Sequence, residues 1–333
     1  MAAEEMYSVV PVTTWVIADQ SRDGAQYEQN DHAPWTQLHP RNVTRRRVSY
    51  GQRVAKTKQL FAALTRRGPH RVLRGDLAFA GLPGVVYTPE SGMNLAGVAF
   101  GHDWLAGADR YHGTLEHLAS WGIVAAAPDT ETGVAPSVLN LAFDLGTTLD
   151  IIAGVRLGTG KISVHPTKLG VVGHGFGGSA AVFTAAGMPD KLKAAVALFP
   201  SVTQPQAAQP AAGLRVPGLI LTAQTDPSNI RSNAADLSAA WKAATVRTVA
   251  KAKPGGLVEG FRLTRVVGLP GADRSTQKVV RALLTGYLLH TLAGDKAYKD
   301  FNDPEVVLPK TAPPDPDAEP ITPEDKVVAL LKG

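Results

Sequence analysis

The stretch Leu169 to Val182, LGVVGHGFGGSAAV, holds two overlapping glycine patterns with different chemistry. Gly173, Gly175 and Gly178 fit G-x-G-x-x-G, whose glycines let a backbone approach a dinucleotide pyrophosphate at a helix N-terminus. Gly173 to Gly177 fit G-x-S-x-G, the sharp strand-to-helix turn that presents a nucleophilic hydroxyl, with Gly175 where the serine would stand. The first pattern needs an acid at the end of the following strand, about 20 residues on, for the ribose hydroxyls. That strand ends in ALFPSV; Asp190 precedes it and the next acid is Asp226. The glycines also fall late in the strand series. NAD(P) binding is therefore the weaker alternative, the nucleophile turn the stronger, and no cofactor is expected.

Residues able to replace the missing hydroxyl are few. With no cysteine in the chain there is no thiolate, no disulfide and no cysteine-ligated metal. Ser179 lies four residues past Gly175, one turn into the following helix, so its hydroxyl should face helix packing. His290, in VVRALLTGYLLHTLAG, reads as a helix-face or core residue. His112 and His117 are five apart in a predicted helix, a poor spacing for one face, and no metal is expected.

The elements around these residues alternate. β-rich runs occur at 84–89, 95–100, 122–128, 168–173, 194–199, 217–223 and 261–268, and helical spacing at 108–120, 137–157, 177–187, 230–244 and 275–293. Near-continuous apolar strands separated by helices predict an α/β domain, a doubly wound and mostly parallel sheet covered on both faces.

Five stretches then fall in order. VAFGHDW, LASWGIVAAAPDT, GHGFGG, LILTAQTDPSN and VVGLPGADRS resemble the α/β-hydrolase superfamily, in its dienelactone-hydrolase and cutinase-like polyesterase branch, over residues 76 to 295. The resemblance implies an oxyanion loop and pocket built from His102, Asp103, Trp104, His174 and Phe176. It also implies that a serine, an acid and a histidine should stand at Gly175, Asp226 and Arg274. Glycine offers no attacking atom, and a guanidinium cannot act as a base. Losing the serine or histidine of such a triad costs about 10⁶ in turnover. The expectation is a catalytically inactive protein of this fold that binds a ligand or a partner, the alternative an active esterase or dienelactone-hydrolase-like enzyme with a non-standard nucleophile. Arg274 is expected to pair with Asp226 across the former triad, while a one-residue shift of the loop would bring Asp273 into the histidine slot.

Charge is unevenly placed. Residues 41–74 carry eleven Lys and Arg and no acid, while the chain as a whole has a net charge of +5. Within that segment RVAKTKQLFAALTRR sets Val54, Leu60, Phe61 and Leu64 near one helical face. Arg45, Arg46, Arg47, Arg53, Lys56, Lys58, Arg66 and Arg67 form an expected interaction surface for a protein partner or an anionic surface, and nucleic acid fits the same charge. The expected domains are an N-terminal extension with this helix (1–75), the α/β domain (76–295) and a Pro-rich acidic tail (296–333), whose charge suits docking on the basic segment. The cleft is expected to take a small hydrophobic or ester ligand. No signal peptide or transmembrane segment is expected, and the chain is placed in the cytoplasm, with the basic segment available for the membrane periphery.

Overall fold

A computed structural model describes residues 50–312 apart from 227, 228, 230 and 261–270. Arg45, Arg46 and Arg47, the strand expected over 261–268, the extension before residue 50 and the tail beyond 312 lie outside the described residues. In chain order the elements are α1 (Tyr50–Leu64), β1 (Val72–Asp76), β2 (Gly84–Pro89), β3 (Gly92–Gly101), α2 (His112–Ser120), β4 (Ile123–Pro128), α3 (Val138–Gly154) and β5 (Ile162–His174). There follow α4 (Phe176–Gly187), β6 (Leu192–Leu198), α5 (Ala208–Ala211), β7 (Gly218–Ala223), α6 (Ala234–Ala240), β8 (Ala244–Val249), α7 (Arg274–Thr291) and β9 (Thr311–Ala312).

One nine-stranded sheet runs β1-β2-β4-β3-β5-β6-β7-β8-β9. From β4 through β8 every pair is parallel, and antiparallel pairs close both ends. Period-two alternation divides the core into two layers. Val98 and Phe100, Ile123 and Ala125, and Val196 and Leu198 face the side covered by α1, α2 and α7. Ala99, Val124, Ala195 and Ala197 face α3, α4, α5 and α6. Apolar side chains on both faces are why these strands read as continuous runs in the sequence. The mostly parallel, doubly covered sheet matches the fold class that the patterning predicts.

Two expectations need correction. The predicted helix over 230–244 shrinks to Ala234–Ala240, and β8 follows it at once. The run ATVRTV hides its strand character because a charged residue interrupts it, yet Arg247 is only 5% exposed. Its guanidinium donates to the carbonyls of Val306 and Asp303 at 2.5 Å and of Asp300 at 3.5 Å. The boundary at residue 295 is also too early. Phe301, 1% exposed, seats its ring against Gly286 of α7, where an added Cβ would lie 2.4 Å from it, and β9 pairs with β8.

Helix α1 belongs to the same body. Thr57, Phe61 and Leu64 are buried and Val54 and Leu60 half-buried, so the predicted face is the one that packs, against α7. Arg53 donates to Asp300 Oδ1 through Nε (3.0 Å) and Nη2 (2.7 Å), and to Asp303 Oδ2 at 2.9 Å, while Thr57 Oγ1 donates to Asp300 Oδ2 at 2.5 Å. Asp300 is held below the usual carboxylate range by Arg53 and Thr57, against the opposing effect of its burial. Arg53 thus fastens residues 300–303 to the domain.

Candidate functional site

Strand β5 delivers the chain to the head of α4 through a turn that only a small backbone can make. Gly175 has φ 53° and ψ −115°, a left-handed conformation that costs a residue with a Cβ about 1–3 kcal/mol. Its amide donates to Leu198 O at 3.0 Å, and its carbonyl accepts from Gly178 N and Ser201 N at 3.0 Å each. A Cβ on Gly173 would lie 1.9 Å from Gly177 O, and one on Gly177 would lie 2.3 Å from the Gly101 backbone. The small residues let α4, β5 and the loop after β3 touch backbone to backbone. Gly177 N completes that contact by donating to His102 O at 3.0 Å.

What fills the space over the turn comes from that loop. A Cβ on Gly175 would stand 2.0 Å from Asp103 Oδ1 and 2.4 Å from its Cγ, so the Asp103 carboxylate occupies the volume that a nucleophile's side chain would need. The same Oδ1 accepts from Phe176 N at 3.0 Å and Trp104 N at 2.8 Å. One of these amides follows the turn residue and the other belongs to the loop after β3. In this architecture two such amides are the donors for the negative oxygen of an acyl-transfer intermediate. Here they converge on a carboxylate of the protein itself.

The two histidines beside the turn are committed elsewhere. His174, 1% exposed, takes Tyr111 Oη on Nδ1 at 2.8 Å and the Pro254 carbonyl on Nε2 at 3.0 Å. Tyr111 Oη in turn accepts from Asp103 N at 3.0 Å, so one buried chain of hydrogen bonds ties the loop after β3 to β5 and to the segment after β8. His102, fully buried, sets Nδ1 against Asp103 O at 3.0 Å and Nε2 against Thr130 O at 2.6 Å. Both rings orient backbone. Trp104 is 42% exposed with Nε1 donating to Val134 O at 3.1 Å, and Phe176 is half-buried against the α3–α4 layer.

The other two triad slots do not meet. Asp226 follows β7 as the sequence places it, but it is buried and satisfied locally. It accepts from Thr222 Oγ1 and Ala223 N at 2.7 Å each and from the Asn229 side chain. Burial nevertheless raises its pKa above the usual carboxylate value. Arg274 is exposed in the first turn of α7, and among the described residues no ion pair or hydrogen bond joins it to Asp226. That corrects the expected pairing: the carboxylate's oxygens are already taken up by its own loop. Asp273 caps α7, accepting from Thr276 N at 2.7 Å, a bond that holds its carboxyl below the usual range. Ser179 is fully buried and donates to Ser201 O in the segment after β6, and His290 Nδ1 lies 3.2 Å from Asp295 O at the end of α7.

Other expected interaction residues divide by partner. Arg53 is engaged with Asp300 and Asp303, and Arg67 reaches Glu116 at 2.8 Å, whereas Lys56, Lys58 and Arg66 are exposed. His112 Nδ1 lies 3.1 Å from Glu259, while His117 is buried, so the two imidazoles take separate partners. Among the described residues no three His, Asp or Glu are grouped so as to hold a metal, and no helix is long and apolar enough to cross a membrane.

Sequence reasoning missed Tyr111 and Glu259. The Glu259 carboxylate accepts from Gly113 N (2.7 Å), Thr114 N (2.9 Å) and Arg281 Nη2 (2.8 Å), locking the start of α2 to α7. No local pattern marks either residue, because Tyr111 meets His174 63 residues on and Glu259 meets Gly113 and Thr114 about 145 residues back.

The parallel sheet, the left-handed residue between β5 and α4 and the two converging amides define an α/β-hydrolase-fold protein. The chain belongs to the dienelactone hydrolase family, whose model matches residues 82–256, more than half of its length. The match spans Gly175 and Asp226 and ends before Arg274. No curated protein matches the chain.

Proposed function

We propose that this chain is a catalytically inactive member of the dienelactone hydrolase family that serves as a ligand-binding or partner-binding module. The observation that carries the reading is the Asp103 carboxylate standing where a side chain on residue 175 would project. It is supported by the commitment of the nearby candidates among the described residues: Ser179 to the Ser201 carbonyl, His102 and His174 to carbonyls and Tyr111, and Asp226 to its own loop. The exposed cations Lys56 and Lys58 of α1, with Arg66 just past its end, offer a surface for an acidic partner or an anionic membrane.

The test is a fluorophosphonate probe combined with a p-nitrophenyl acetate assay on the purified chain. We expect no phosphonylated peptide and no turnover above the buffer rate. A second reading, an esterase with a non-standard nucleophile, has Asp103 as its candidate because that carboxylate lies against the turn. Ester turnover abolished in Asp103→Ala would establish this alternative and end the first.

A further inference from the structure

We propose that the oxyanion-binding donors of this protein are preserved and that Asp103 is their built-in ligand, closing the site to any external carboxylate, phosphonate or ester carbonyl. The inference rests on the inactive reading of the Gly175 turn and adds a gate and a ligand class to the same site. The two donors come from different elements, Trp104 N from the loop after β3 and Phe176 N from the head of α4, and they meet on one oxygen at 2.8 and 3.0 Å. Trp104 N belongs to the residue next to Asp103, so the bond that spans the fold is the one from Phe176 N, 73 residues away. Here the aim is held by a fixed frame. Gly177 N bonds His102 O on one side of Asp103, and Asp103 N bonds Tyr111 Oη, itself fastened to His174, on the other.

Charge fits the occupant. The Phe176 amide at the N-terminus of α4, joined by the Trp104 amide of the loop after β3, favours a negative oxygen, and a carboxylate satisfies both donors in a charge-assisted way. Among the described residues the second carboxylate oxygen, Oδ2, has no hydrogen-bond partner, and the side chain is only half-buried. Removing the carboxylate should leave two unsatisfied N–H groups facing a small space, which is an anion site.

The experiment measures binding of acetate and of phenylphosphonate to the full chain by calorimetry and by amide shifts of Trp104 and Phe176. Wild type should bind neither. Asp103→Ala and Asp103→Gly should gain at least about tenfold in affinity for both, with the two amides shifting on titration. Asp103→Asn keeps an acceptor oxygen in place and should stay closed, which separates occupancy of the donors from charge alone. Equal binding by wild type and Asp103→Ala, or no binding by either alanine or glycine variant with the fold intact by circular dichroism, would overturn the proposal. If the alanine and glycine variants do not fold, a wild type whose Trp104 and Phe176 amides shift on acetate titration would overturn it, and amides that stay unmoved and protected from exchange would support it. Failure here leaves the inactive reading standing, since that reading is decided by probe labelling.

Discussion

Gly175 and Asp103 are joined by exclusion as well as by hydrogen bonding. The turn residue sits at φ 53°, so any side chain there carries about 1–3 kcal/mol of backbone strain, and its Cβ would also collide with Asp103 Oδ1. Gly175→Ser should therefore destabilise the chain by more than the backbone term alone. Adding Asp103→Ala should recover the collision part and leave the strain. The expected non-additivity, read from urea unfolding of the two single variants and the double, is at least about 1 kcal/mol. Strictly additive effects would show that the carboxylate is not where the serine goes. That glycine stands at the turn is legible in the sequence, because the pattern around it is local. What fills the space over it is not legible: Asp103 and Phe176 are 73 residues apart, and the close approach of β3 to α4 through Gly101 and Gly177 brings them together.

At the scale of elements, the sheet's far edge is fastened by arginines. Among the described residues Arg247 donates to backbone carbonyls of the segment after α7, and its pKa is lowered by burial, while Arg53 of α1 grips Asp300 and Asp303. A chain ended after Asp295, where the composition shift suggests the domain stops, should lose far more than a tail. Removing Phe301 alone costs about 3–5 kcal/mol, and the truncation also strands a buried guanidinium. The measurement is thermal unfolding of the truncated chain against the full one; unchanged stability would reject the clamp. Composition misplaced the boundary because proline and acid content describe the chain's own preferences. It carries no information about the Arg247 side chain waiting on β8, or about the Gly286 notch that receives Phe301.

For the molecule as a whole, stability should depend on pH through His117. Burial pushes its pKa down to about 4, with Arg281 adding to the effect and a hydrogen bond to the Leu64 backbone opposing it; among the described residues Nε2 has no partner. The folded protein needs this ring neutral. Its unfolded value is near 6.5, so the stabilisation is complete above that pH and is lost as pH falls toward 4, by about 3 kcal/mol. Asp273 and Asp300, both held below the usual carboxylate value, weaken the fold only at lower pH still. Asp226, with a raised pKa, contributes in the opposite sense by favouring the folded chain on acidification. His117→Gln should flatten the decline between pH 6.5 and 4 in urea midpoints, and an unchanged slope would assign it elsewhere.

Sequence alone determined the layered fold and the glycine at the turn, since apolar periodicity and glycine spacing act over a few neighbouring residues and survive in one dimension. It also marked the helix face of α1 that packs. Tertiary structure decided the rest: that a carboxylate from the loop after β3 sits on the oxyanion donors, that Asp226 and Arg274 do not pair, and that the segment to Ala312 belongs to the domain. Each of these is a contact between residues far apart in the chain, fixed by where strands and helices come to lie, and a linear pattern holds no record of that placement.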